Sequence, residues 1–240
     1  MNILIVNDDS IHAPGIGALA RAAAEYGDVW VVAPAEQCSA MSQKLTLRDP
    51  MTLSQVTDFP APVREAWKLG GTPVDCVKVA LVHLMQDKPD WVLSGINNGY
   101  NAGFDISYSG TLGAAFEAVR NGIPAIAFSV RNEKNLPGTE DCLRQLLGEL
   151  LKKDPGKGNV WNVNIPPMPD GAVKGILYDR TVAPVSMYQE QYIETAQPDG
   201  SVALLIKGNP TAGDLIPEGT DAAAVRSGYV SVGKVSCGVL

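Results

Sequence analysis

The sequence predicts an α/β fold: a doubly wound, mostly parallel sheet in three layers of the Rossmann-like kind, with a C-terminal β-hairpin extension. Short apolar runs alternate with helical patterns over the first two-thirds of the chain. Strands separated by helices at this spacing pair in parallel through right-handed crossovers. The pattern changes beyond Pro166, where runs resembling antiparallel strands follow one another.

In order, residues 2–7 read as a buried strand and Gly15–Tyr26 as an Ala-rich helix. Val29–Ala33 is a second strand, stopped by Pro34. Residues 44–69 carry two alternating stretches that suit a hairpin excursion. Pro73–Gln86 reads as a helix with Thr72 as N-cap and proline in its first position. Trp91–Leu93 is a buried strand leading into a loop over 94–109. Thr111–Asn121 is a helix ended by Gly122, Ala125–Val130 a strand, Thr139–Lys152 an amphipathic helix and Val160–Ile165 a strand. Val173–Tyr178, Tyr188–Glu194 and Val202–Lys207 look antiparallel, and a short helix (Asp221–Ser227) and a last strand (Tyr229–Val235) close the chain. The expected division is a core over 1–168 and an extension over 169–240 that serves oligomer contacts.

Composition narrows the function. The 240 residues are 45% hydrophobic and 19% charged, which describes a globular protein with a sizeable core. No apolar run approaches the roughly 18–20 residues that span a bilayer, and no secretion signal is legible, so a cytoplasmic, non-membrane protein is expected. The net charge of −7 disfavours a nucleic-acid-binding face, which needs clustered Lys and Arg. Cys38, Cys76, Cys142 and Cys237 are scattered and read as reduced thiols. With only His12 and His83 present, any metal must be held mostly by oxygen, favouring Mg²⁺, Mn²⁺ or Ca²⁺ over zinc.

The most informative feature is the pair Asp8-Asp9 at the end of the first strand. An open α/β sheet places ligands at the C-terminal ends of its strands. Two adjacent carboxylates there resist ionising together unless a cation lies between them. Two further loops leave strands at the same edge: one carries Ser39, the other Asn97 and Asn101. Asp8, Asp9, Ser39 and Asn97 can therefore converge as an oxygen-rich, open site for a hard divalent cation. Ser109, Gly110 and Thr111 open a helix, and hydroxyls with free N–H groups at a helix start form an anion site. Cys38 has no sequence neighbour that would lower its pKa, so it reads as incidental.

These segments resemble one family. Asn7-Asp8-Asp9-Ser10 through Ile16, Gly71-Thr72-Pro73-Val74-Asp75-Cys76-Val77, Ser94-Gly95-Ile96-Asn97 with Gly99 and Asn101, Tyr108-Ser109-Gly110-Thr111, and the closing Gly219-Thr220-Asp221 with Ala224–Val232 are together similar to the SurE family of acid phosphatases and 5′/3′-nucleotidases. The resemblance implies hydrolysis of nucleoside monophosphates with Mg²⁺ or Mn²⁺, one cation per subunit, in a homodimer or homotetramer. It implies Asp8, Asp9, Ser39 and Asn97 as metal ligands, either aspartate as the catalytic base, and Asn101, Ser109, Gly110 and Thr111 as the phosphate pocket. Three departures stand out. Ser10 follows the aspartates where the family usually has glycine. Ala40 stands in Ser39-Ala40-Met41-Ser42 where the family usually reads Ser-Gly-x-Ser. Tyr178-Asp179-Arg180-Thr181 poorly matches the family's aromatic-rich stretch. The rival reading is a non-catalytic sensor of nucleotide or phosphate on the same fold. A receiver domain fits worse, since it needs an aspartate after its third strand and a lysine after a later one.

Overall fold

A computed structural model describes residues 1–131, 136–168 and 172–238. Its central sheet holds β1 (Asn2–Val6), β2 (Asp28–Pro34), β3 (Leu53–Gln55), β4 (Glu65–Leu69), β5 (Trp91–Asn98), β6 (Ala125–Val130), β7 (Asn159–Ile165), β8 (Ile176–Arg180) and β11 (Val230–Ser236). The order across it is β3-β4-β2-β1-β5-β6-β7-β11-β8. The run from β4 to β7 is wholly parallel. Because β2 lies on one side of β1 and β5 on the other, the winding reverses at β1. That reversal opens a crevice at the carboxyl ends of β1 and β5.

Helices cover both faces. α1 (Pro14–Ala23) and α4 (Leu136–Leu150) bury Ile16, Leu19, Leu143 and Leu147 against Ile3, Ile5 and Phe128. On the other face, α2 (Pro73–Val79) and α3 (Gly110–Arg120) pack Val77, Leu112 and Ala115 onto Leu4, Val6 and Val92. Strict alternation along β1 explains the two cores: odd residues face one layer and even residues the other. Side chains of this kind contribute about 1.5–3 kcal/mol each on full burial.

Several elements depart from the sequence reading. α2 ends at Val79 and a π turn over Ala80–Leu84 completes the segment, because Met85 N–H bonds to Ala80 O across a wider ring. β5 continues to Asn98 with a register shift between Ser94 and Asn97, so Asn97 sits on a strand end and not in a free loop. A 3₁₀ helix over Gly103–Tyr108 fills the expected loop. β8 is not part of an antiparallel set: it pairs in parallel with β11, and β11 in turn pairs antiparallel with β7. The expected boundary after residue 168 meets residues 169–171, outside the described residues.

β9 (Tyr188–Ala196) and β10 (Val202–Pro210) form a separate antiparallel hairpin. All of β9 is exposed, and so is β10 except Asn209. Its base is tied to the 3₁₀ helix by Phe104 N–H to Val185 O at 3.0 Å and Met187 N–H to Asp105 Oδ2 at 3.0 Å. Among the described residues no helix is long and apolar enough to cross a membrane.

Candidate active site

Asp8 is buried and Asp9 half-buried, both just past β1. Thr111 Oγ1 donates to Asp8 Oδ1 at 2.7 Å, so the first turn of α3 grips this carboxylate. A Cβ on Gly110 would fall 2.9 Å from Asp8 Cβ, which is why the helix opens with glycine against the aspartate. Asp9 Oδ2 accepts from Asn98 N–H at 2.8 Å, tying the end of β1 to the end of β5. Gln37 Nε2 lies 3.4 Å from Asp9 Oδ1.

The other expected residues are delivered by the backbone. Cys38 N–H donates to Asp8 O at 2.7 Å, which brings exposed Ser39 in beside the pair as the next residue. The loop then lies on the 3₁₀ helix and α3: Ser42 Oγ donates to Ser107 O at 2.9 Å, and a Cβ on Gly113 would meet Ser42 O at 2.2 Å. Asn97, adjacent to the Asn98 N–H that holds Asp9, donates its own amide to Gly99 O at 2.9 Å. That leaves the carbonyl end of Asn97 as the acceptor. Ser109 caps α3 by accepting Leu112 N–H at 3.0 Å.

Asn101 behaves differently. It is buried, and its Nδ2 donates to Ser129 Oγ at 2.8 Å. Asn162 and Asn164 on β7 hold its backbone. These three partners were missed from the sequence, although Asn162 and Asn164 interrupt an otherwise apolar strand, which is a visible signal. Asn7 was missed too; its amide donates to Ser10 O at 2.8 Å and shapes the turn after the aspartates. His12 and His83 lie on the surface. Burial, then the Asp8 charge, raises the Cys38 thiol pKa, which disarms it as a nucleophile.

Electrostatics single out Asp8. Its pKa is pushed up to about 6, first by burial and then by the neighbouring Asp9 charge, against the lowering effect of Thr111. Burial raises Asp9 as well, opposed by Asn98 N–H and Gln37. No lysine or arginine contributes to either balance. Among the described residues no three His, Cys, Asp or Glu gather as a metal cluster. A cation here would need the neutral oxygens of Ser39 and Asn97 to complete the pair, and that hard-oxygen set fits Mg²⁺ or Mn²⁺. A cleft of about 230 Å³ lined by Cys38, Met41, Lys44 and Thr72 adjoins this region. A larger one of about 510 Å³, beside Arg120 and Lys157, lies at the opposite ends of β6 and β7.

Two residues flanking the site sit where glycine is favoured: Ser10 at φ 93° and Ala40 at φ 57°. They are two of the three family departures noted above. A left-handed non-glycine residue costs roughly 1–2 kcal/mol, partly offset by the greater unfolded-state freedom of glycine. Ser10→Gly and Ala40→Gly should each raise the thermal midpoint by a few degrees; a drop in calorimetry for both would contradict the strain. The Asp8 shift gives a second expectation. Its folded pKa lies above the ordinary carboxylate value of 3.8, so between the two the folded chain holds a proton that the unfolded chain has lost. The stabilising contribution is complete below pH 3.8 and is lost as pH rises towards about 6. Asp8→Asn should flatten this part of the metal-free stability profile, measured by denaturant melts at several pH values.

The family model for survival protein SurE matches residues 3–189. A 5′-nucleotidase SurE of Synechococcus sp. (strain JA-3-3Ab) is 37% identical over 236 residues, covering 97% of this chain and 90% of that protein. One from Desulforamulus reducens is 39% identical over 235 residues, covering 97% and 91%. The crystal structure of the SurE protein from Aquifex aeolicus superposes with a TM-score of 0.82 at 34% identity, over 100% of this chain and 95% of that one. With the family model matched over residues 3–189 and relatives and fold alike over nearly the whole length, this chain belongs to the SurE family.

Proposed function

We propose that this protein is a metal-dependent phosphomonoesterase that hydrolyses nucleoside 5′-monophosphates, and 3′-monophosphates as well, to nucleoside and phosphate. The observation that carries the reading is the meeting of Asp8, Asp9, Asn97 and the start of α3 at the point where the sheet winding reverses. The 5′-nucleotidase names of its relatives support the substrate class.

Asp8, Asp9, Ser39 and Asn97 would hold one divalent cation, Mg²⁺ or Mn²⁺, with Ca²⁺ as a substitute in crystals. Bound there, it would neutralise the aspartate pair and polarise a phosphoryl oxygen. Asp8, gripped by Thr111, is committed to orientation. Asp9, the more exposed of the two, is the better placed to take a proton from the attacking water. Ser109, Gly110 and Thr111 form one wall of the phosphate pocket, where the positive end of α3 favours the charge on the phosphoryl group. Asn101, from the stretch after β5, would complete that pocket. A cytoplasmic location accords with the four free cysteines.

The hairpin supports a homodimer or homotetramer. Its register puts Tyr188, Tyr192, Val202, Leu204 and Ile206 on one exposed face. An isolated two-stranded hairpin is marginal in water, and a second copy would bury that face.

The test is phosphate release from a panel of nucleoside 5′- and 3′-monophosphates with Mg²⁺, Mn²⁺ or a chelator. Release should require the cation and fall at least a hundredfold in Asp9→Asn. Nucleotide binding without release would favour the sensor, and undiminished activity in chelator would refute the metal site.

A further inference from the structure

We infer that Asn164 and Asn162 are positioning residues for the reaction proposed above, acting through Asn101 and resting on that reading. The stretch from Asn97 to Ser109 joins the end of β5 to the start of α3. It is pinned at three places. Gly99 N–H bonds to Val130 O at 2.9 Å, and Gly103 N–H bonds to Asp221 Oδ2 at 3.1 Å. Between them, the backbone N–H, the backbone carbonyl and the side-chain NH2 of Asn101 are engaged from the sheet. Its N–H donates to Asn164 Oδ1 at 2.8 Å, and its carbonyl accepts Asn164 Nδ2 at 3.0 Å and Asn162 Nδ2 at 2.8 Å. Its side-chain amide donates to Ser129 Oγ at 2.8 Å.

All four residues are buried. Towards the starts of β6 and β7 this face is apolar: Val160 lies on the same strand as Asn162, and Ala125 and Ala127 lie on β6. Apolar side chains would therefore serve the core as well, but would strand the Asn101 N–H and carbonyl without water to replace their partners. The register sharpens the point. Asn97 pairs with Ser129, Ser129 with Asn164, and Asn164 with Ser231, so one polar row crosses four strands and begins at a proposed metal ligand. A one-residue shift between β5 and β6 or between β6 and β7 would move Asn97 relative to the Asn101 that β7 holds. The row is thus a rigid gauge between the ends of β5 and α3, and an error in it misplaces the phosphoryl group without removing any group that touches it.

The experiment compares the parent with Asn164→Asp, which keeps the shape and the acceptor but turns a carboxylate on the Asn101 carbonyl. Ser129→Ala and its conservative partner Ser129→Thr serve as the second pair. kcat and KM for a nucleoside monophosphate, Mn²⁺ affinity and the thermal midpoint are read for each. Positioning predicts that kcat falls at least tenfold in Asn164→Asp and Ser129→Ala while Mn²⁺ affinity stays within about threefold, with Ser129→Thr recovering most of the rate. Folded variants with parental kcat overturn the proposal, as does a loss that only tracks Mn²⁺ affinity. If Asn164→Asp fails to fold, the serine pair decides. A parent that releases no phosphate refutes the nucleotidase reading itself, whereas an active parent matched by its variants refutes only the positioning role.

Discussion

The carboxylate of Asp8 is held in a dry place by the first turn of a helix, and much of the surrounding architecture follows from that contact. Thr111 Oγ1 reaches it at 2.7 Å, and Gly110 must lack a side chain to let it approach. Burial and the Asp9 charge oppose its ionisation and carry its pKa to about 6. Neither aspartate has a lysine or arginine among the causes of its shift, which is the electrostatic ground for the cation proposed above. The anchoring contact also couples two regions that seemed separate. The helix start expected to receive phosphate is the same one that holds the aspartate, so in the proposed reaction metal and phosphate would share a wall.

The sheet supplies the convergence. With β1 at the reversal of winding, the chain segments after β1, β2 and β5 leave the same edge. Short backbone bonds finish the work: Cys38 N–H to Asp8 O draws in the serine loop, and Asn98 N–H to Asp9 draws in the end of β5. The local strain at Ser10 and Ala40 is concentrated where these loops turn. Strain of this kind is common beside functional sites, where the surroundings hold an unfavourable turn in place.

The parallel core and the aspartate pair were legible because periodicity and strand-end position are local signals. Asn2–Val6 is too apolar to be anything but a buried strand, and Asp8-Asp9 ends it abruptly. The role of β11 was not legible, since nothing in Val230–Ser236 specifies that it inserts between β7 and β8. That choice is made by long-range pairing. Nor did the sequence show how differently Asn97 and Asn101 are held: both sit in one Gly-rich stretch, yet Asn97 bonds to Gly99 O while Asn101 is anchored to Ser129 and β7. Those anchors come from β6 and β7, far along the chain, and the register shift in β5 that precedes Asn97 leaves no mark in composition. Asn162 and Asn164 were visible as polar breaks in a strand, but their purpose emerged only once Asn101 was seen between them.

Anomalous diffraction from crystals grown with Mn²⁺ tests the central claim most directly. The account predicts a single strong peak per chain within coordination distance of Asp8, Asp9, Ser39 and Asn97. A peak elsewhere, or an aspartate pair left without metal at saturating Mn²⁺, would contradict it.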